Sequence, residues 1–521
     1  MNRNHFVRQV LAAGIGILFR PSLSLGNPLI SLSANGQLPD EPPAGFKPNK
    51  FGIVDLHCHP SLKMYLWGRH FWSCHCQAPG MNLVDLQDDI QELSTGSIEG
   101  QDGEGFVKGI VCAHYLVERA AEQQWDLLRH LFPGIKLLFG RLARKIENGD
   151  WSNFTQINKM IDELEYQAQR ANKKQRRLSF VIARDYGEFE TAIRDGQFPI
   201  AHAIEGAHAL GRNLSISKPT KRRWQPEEGK MAGATPDDPS KYIRNLWALK
   251  ARGVCMITLA HLFQNDIAFC TEGISPDGKR IIGMKDWKYN NDDEQKYNRL
   301  LTPIGEAVAK EMLEIGMVID LTHSTPRERD QVFAFNRARK DEGKPMRPIV
   351  FTHTGAQELF NRHDAENKAH KAPYLQFGFY CVSATDIQNI YECNGAIGVI
   401  PEVFWLAGGD TNLKRPYGFS PDHFREGIPY MVETILFLNQ EFSKIKGQDD
   451  DYHHISLGTD FDGLADAPED LFRASQLGGL IMALKNGGLT DDQIRRITSG
   501  NALRVLKEGW IKTPPAPASA P

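Results

Sequence analysis

The chain has 521 residues, of which 41% are hydrophobic, and a formal net charge of -3. That is enough apolar material for one large core or two ordinary ones. The near-neutral balance excludes the basic field that nucleic acid needs and any long like-charged tail, which leaves a small molecule or peptide as the easier partner.

Residues 1–26 read as an export signal: Arg3, His5 and Arg8 precede an apolar run from Val10 to Phe19, and small and polar residues follow. The run is too short for a transmembrane span, so an exported protein, periplasmic or secreted, is expected. Asn4 stands where a twin-arginine signal would carry its second arginine, which leaves the route open. Residues 27–50 form a Pro/Gly/Asn-rich linker. Most of the eight cysteines lie in apolar runs, where a free thiol behaves as a small hydrophobe. No disulfide framework is legible, and Cys74-His75-Cys76 lacks the second ligand pair of a finger-like site.

The first strand is expected over Phe51–His57, running into His57-Cys58-His59. Alternate side chains of a strand point the same way, so the two histidines form the first half of a metal site. A long loop should follow, carrying Trp67, His70, Phe71 and Trp72. The second strand is Val107–His114, followed by an insertion over about 115–178 with a helical segment marked by Ile157, Ile161 and Leu164. Ser179–Ala183 is a short extra apolar run. The third strand ends at Glu205, and an exposed insertion covers 211–240. A helix over Tyr242–Arg252 leads into the fourth strand, which ends at His261. Thr302-Pro303 opens a helix whose Ile304, Val308, Met312 and Ile315 share a face, and Gly316 stops it before the fifth strand, which runs to His323. The sixth strand ends at His353, followed by an insertion near 362–382 and a helix starting at Ala384. The seventh strand is Gly395–Ile400 and the eighth Ile455–Thr459, leading to Asp460. A final helix is expected over Thr490–Glu508 and a disordered tail over 511–521.

Eight apolar strands alternating with helices predict an α/β fold, a (β/α)8 TIM barrel over 51–510 with long loop insertions, whose functional residues gather at the C-terminal strand ends. Four histidines and two carboxylates at one mouth are too many for a closed structural site. Two divalent ions, zinc first, sharing Glu205 as a bridge account for them with the fewest assumptions. Such a pair lowers the pKa of a water and holds both oxygens of a tetrahedral intermediate, which implies hydrolysis.

Asp55-Leu56-His57-Cys58-His59, Ile204-Glu205-Gly206-Ala207-His208, Leu259-Ala260-His261, Val318-Ile319-Asp320-Leu321-Thr322-His323-Ser324, Phe351-Thr352-His353-Thr354-Gly355, Gly458-Thr459-Asp460-Phe461-Asp462-Gly463 and Gly500-Asn501-Ala502-Leu503-Arg504 together resemble the successive signatures of membrane (renal-type) dipeptidases, peptidase family M19, of the amidohydrolase superfamily. The resemblance implies that His57 and Glu205 bind one zinc and Glu205, His323 and His353 the other. It further implies that Asp460 handles the proton of the attacking water and the leaving amine, and that His261 supports the developing oxyanion. The implied activity is cleavage of the amide bond of a dipeptide or small acyl amino acid, with a homodimer possible. Two positions depart from the family. His59 stands where His-x-Asp is usual and is read here as a further metal ligand. The family's carboxylate-reading arginine has no counterpart in Val382-Ser383-Ala384-Thr385, so Arg362 is the nearest substitute. These departures keep open a non-peptide substrate such as a lactone or cyclic amide, or a catalytically silent barrel used for binding. His202 and His208 are expected to be core or supporting residues, and His114 has no assigned role.

Overall fold

A computed structural model of the chain describes residues 50–67, 89–98, 101–116, 153–174, 178–211, 239–262, 265–270, 300–366, 380–406, 427–464 and 468–512. The expected export signal, most of the linker, the Cys74–Cys76 pair, much of the three insertions and the tail beyond residue 512 lie outside the described residues.

The strands are β1 (Ile53–Cys58), β2 (Thr95–Ile98), β3 (Gln101–Glu104), β4 (Val107–Tyr115), β5 (Phe180–Ala183), β6 (Phe198–Glu205), β7 (Val254–Thr258), β8 (Val318–Asp320), β9 (Ile349–Thr354), β10 (Ala396–Val399) and β11 (Ile455–Leu457). Eight of them pair in the order β1-β4-β6-β7-β8-β9-β10-β11, every pairing parallel. The ladder is nearly closed by a parallel bridge between Cys58 and Phe461, with Asp460 N–H donating to His57 C=O (2.8 Å) and His59 N–H to Phe461 C=O (2.8 Å). This is the expected (β/α)8 barrel. The extra run Ser179–Ala183 is a real strand: β5 pairs with the first half of β6, before β7 takes over that edge.

The alternation of strand side chains decides what faces where. Val54, Leu56, Val111, Ala201, Ala203, Met256, Val318, Val350 and Ala396 form one buried cluster that fills the lumen, joined by Ala502, Val505, Leu506 and Trp510 from the C-terminal helix. Ile110, Ile200, Ile204, Ile257, Ile319, Phe351 and Ile397 alternate with them and pack outward under the helices. Glu205 shares the parity of Ala201 and Ala203, which brings its carboxylate to the top of the lumen.

Cap chemistry sets several helices as their sequence directs. In the Pro303–Ile315 helix, Thr302 accepts from Gly305 N–H, Pro303 occupies the first turn and Gly316 ends it at φ 67°. Ser383 and Asp386 form a capping box for Ala384–Glu392.

Four features correct the expectation. A helix, Pro60–Trp67, occupies the start of the segment expected as loop, with Leu62 and Met64 buried; a proline at the first position presets its φ. Gln357–Glu366 is a helix where only a polar stretch was legible, since Leu359 and Phe360 alone anchor it in the core. An antiparallel hairpin joins β2 and β3. The single terminal helix is broken by a π turn at Arg496–Gly500 between Asp491–Arg495 and Asn501–Gly509. There Asn501 Nδ2 donates to the carbonyls of Tyr452 and Ile455, both at 2.7 Å, and the local tie overrides helical continuity.

Glycines allow the mouth to close tightly. A Cβ at Gly398 or Gly458 would stand 1.9 or 1.8 Å from the carbonyl oxygen of Thr352, so the ends of β10 and β11 approach β9 only without side chains.

Candidate metal centre

The donors converge on Glu205. Its Oε1 lies 3.3 Å from Nε2 of His57, 3.3 Å from that of His323 and 3.6 Å from that of His353; its Oε2 lies 3.3 Å from Nε2 of His59 and of His261. Asp460 Oδ1 is 2.9 Å from His59 Nε2 and 3.9 Å from His57 Nε2. Glu205 and the five imidazoles are buried, while Asp460 keeps 17% of its side chain exposed. Thus His57, His59, Glu205, His261, His323, His353 and Asp460, separated by up to four hundred positions in the chain, meet at one point.

The geometry groups ligand atoms as His57/His59/Glu205, Glu205/His261/His323 and His57/His353/Asp460. Glu205 is common to the first two sets. His261 is as near Glu205 as His323 is, so it is eligible as a ligand as well as an oxyanion support. His59, the departure from the His-x-Asp pattern, points its Nε2 into the same cluster.

What aims the rings is a buried layer of hydroxyls around Asp320. Its Oδ2 accepts from Thr258 Oγ1 (2.6 Å) and Thr352 Oγ1 (2.7 Å), and its Oδ1 from Thr322 Oγ1 (2.7 Å), Thr322 N–H (3.0 Å) and Thr352 N–H (3.1 Å). With its proton committed to Asp320, the Thr352 oxygen can only accept, and it does so from Nδ1 of both His57 (3.0 Å) and His353 (2.9 Å). Both rings therefore carry their proton on Nδ1 and present a bare Nε2 to the centre. Asp55 plays a parallel part across the closure, accepting from Thr459 Oγ1, Thr459 N–H and His57 N–H. Burial pushes its pKa up to about 6 against those bonds.

The electrostatics fit a cation. Burial alone would raise the Glu205 pKa, yet the neighbouring imidazoles, His261 and His59 first, outweigh it and hold the carboxyl well below its ordinary range. Burial would lower His59, but Glu205 and the Asp460 hydrogen bond raise it to about 9. His353 is driven well below its usual value by burial and by its neighbours His57 and His323, so it is neutral. Nε2 of His323 and of His353 are 3.1 Å apart, as are those of His57 and His59. Nitrogens so close around one carboxylate are a donor set that a divalent ion would satisfy.

Backbone strain is present here too: His323 and Asp460 hold φ of 68° and 53°, in the left-handed region that L side chains seldom adopt. Aromatic rings flank the mouth, Tyr115 at 4.3 Å from His261 and Tyr380 at 5.1 Å from His323, the latter stacked on Trp405 at 3.8 Å. The sequence reading missed Thr352, Asp320 and Tyr380; the Asp-x-Thr-His spacing at 320–323 and the threonine before His353 are the signal that pointed to the first two.

Arg362 is turned elsewhere. It is exposed on the Gln357–Glu366 helix, 3.7 Å from Glu358 and over the Phe437 ring. Arg329, near the mouth in the fold, is buried and committed to Asp386 (3.0 Å) and to the carbonyls of Ser324, Cys381 and Tyr380. His208 supports the wall through Leu116 C=O (2.8 Å), and His202 and His114 face outward, bonded to each other.

Replacing Thr352 with valine removes the acceptor that aims two ligands. Thr352→Val is expected to weaken metal binding about 10- to 100-fold, read by competition with a chelating dye, and Thr352→Ser to preserve it; equal affinity in all three would show that the rings are aimed by packing alone.

Fold and site together define a (β/α)8 barrel whose mouth carries histidine and carboxylate donors suited to metal. Residues 445–513 match the family model of membrane dipeptidases, peptidase family M19. Dipeptidase aclJ of Aspergillus oryzae is 27% identical over 208 residues, 40% of this chain and 38% of that protein. The chain thus spans about two fifths of the length of such curated relatives. Two solved structures share the fold at 15–16% identity. A metallopeptidase from Rhodobacter sphaeroides, liganded with a phosphinate mimic of the dipeptide L-Ala-D-Ala, gives a TM-score of 0.55 over 88% of this chain and 99% of that one. The probable dipeptidase PvdM from Pseudomonas aeruginosa gives 0.52 over 89% and 96%. Over these matched segments the chain is similar to the membrane dipeptidases of peptidase family M19, the family its motifs resemble.

Proposed function

We propose that the protein is a metal-dependent hydrolase of the membrane-dipeptidase type, cleaving the amide bond of a dipeptide or small acyl amino acid. The observation that carries this reading is the Glu205 carboxylate with five imidazole Nε2 atoms within 3.6 Å of it. Two divalent ions, zinc first, would be held with Glu205 between them, His57 and His59 on one side and His323 and His353 on the other. Such ions supply a nucleophilic water at neutral pH and Lewis acidity toward a carbonyl. Asp460, the partly exposed carboxylate of the set, stands where it can take the proton of the attacking water and return it to the leaving amine. His261, beside Tyr115, supports the oxygen on which negative charge develops. The relatives' names and the dipeptide-mimic complex of the Rhodobacter sphaeroides neighbour support the substrate class.

Because Arg362 and Arg329 are both engaged away from the mouth, a second reading is kept: a lactone or cyclic amide, which has no free carboxylate to anchor. Purified protein is expected to hold about two ions per chain and to turn over members of a dipeptide panel, with activity lost to a chelator and restored by metal. Metal binding with turnover confined to cyclic amides or lactones would favour the second reading, and no turnover on either panel would favour a silent binding barrel.

A further inference from the structure

On the outer face of the barrel wall lies a line of polar groups that the site does not use. Ser61, in the Pro60–Trp67 helix, has Oγ 2.9 Å from Nδ1 of His114 on β4; His114 Nε2 is 2.9 Å from Nδ1 of His202 on β6; His202 Nε2 lies 3.3 Å from Glu165 Oε1 of the Asn153–Lys173 helix. Ser61, His114 and His202 are at most 2% exposed. Glu165 in turn faces Arg184 (3.0 Å) and Arg252 (3.1 Å), the latter also paired with Asp162 (2.6 Å).

The end charge sets the direction of the line. Burial opposes ionisation of Glu165, but His202 and Arg184 keep its carboxyl far below the usual range, so it only accepts. Burial drives both histidines below their ordinary values, and a neutral imidazole has one N–H and one lone pair. Glu165 faces His202 Nε2 at ion-pair distance, 3.3 Å, without hydrogen-bond geometry; its charge favours the proton on that nitrogen and leaves Nδ1 to accept. His114 must then donate from Nε2 and accept on Nδ1, which leaves the Ser61 hydroxyl to donate. Ser61 follows His59 by two positions, with Pro60 fixing φ between them. The same short segment is tied by His59 N–H to Phe461 C=O (2.8 Å) and by Leu62 N–H to His59 C=O (2.9 Å).

We infer that Ser61, His114, His202 and Glu165 form a positioning line that holds His59 in the metal-binding set from outside the barrel. The inference rests on His59 being a ligand, as proposed above. It makes Ser61 and His202 positioning residues, acting on metal affinity without touching the ion.

The test uses metal-free full-length protein and Zn2+ alone, with competition by a chelating dye. Ser61→Ala is expected to bind about tenfold more weakly, Ser61→Thr to regain wild-type affinity within about threefold, and the melting temperature of metal-free Ser61→Ala to move by no more than about 2–4 °C. His202→Phe, which cuts the line two groups from Ser61, should lose affinity in the same direction. Wild-type affinity in both Ser61→Ala and His202→Phe overturns the inference, as does a loss that threonine does not rescue. Wild-type protein that takes up no Zn2+ would instead overturn the metal reading itself.

Discussion

Glu205→Gln is expected to lose its bound metal and at least about a thousandfold in kcat/KM, close to 4 kcal/mol of barrier, while remaining folded. The glutamine is nearly isosteric, but it removes the one negative charge that all five Nε2 atoms surround, and an amide is a poor bridging ligand. The fold should survive because the lumen below is filled independently by Val54, Val111, Ala203, Val318 and Val350. The change also replaces a buried carboxylate with a neutral group, which lightens the desolvation cost in the metal-free chain. Elemental analysis and thermal unfolding on the same sample separate the effects. Retained metal with full activity would remove Glu205 from the bridging role, and collapse of the fold would make the site structural.

Asp460→Asn should give the opposite pattern: metal content close to wild type, KM little changed, and kcat lower by about 10²–10⁴, the range of a lost general acid–base group. Asparagine suits the test because it tolerates the left-handed backbone that Asp460 adopts at φ 53°, so the N–H bond to His57 C=O should persist. It also fits the narrow space under Gly463, where a Cβ would stand 2.4 Å from Asp460 Oδ1. Loss of metal in step with activity would recast Asp460 as a ligand, a role that its grouping with His57 and His353 allows.

The two substitutions separate holding the ions from moving the proton. A third effect, the metal affinity lost in Thr352→Val, addresses what aims the rings. Together they distinguish three layers of the mouth: the carboxylate at its centre, the acid–base group at its rim and the hydroxyl network beneath.

The sequence by itself determined the barrel and most of the mouth. Strand ends carrying His57, His59, Glu205, His261, His323, His353 and Asp460 are local facts of alternation and spacing, and a closed parallel barrel must gather its strand ends. Helix limits were legible wherever caps declared them, at Thr302-Pro303 and Gly316 and at the helix beginning with Ala384. The tertiary structure alone decided the rest, because each remaining feature depends on contacts between distant segments. The helix at Gln357–Glu366 has too few apolar residues for its period to be read and is held by the core around Phe360. The π turn at Arg496–Gly500 exists because Asn501 bonds to the β11 region. Arg362, chosen by nearness in sequence, faces Glu358 and Phe437 because helix phase, which spacing from His353 does not reveal, sets its direction. The pairing of Thr352 with two histidines and the outer line from Ser61 to Glu165 join residues up to about three hundred positions apart. No local pattern encodes such bonds: they arise from strand register and from the requirement that buried polar groups find partners.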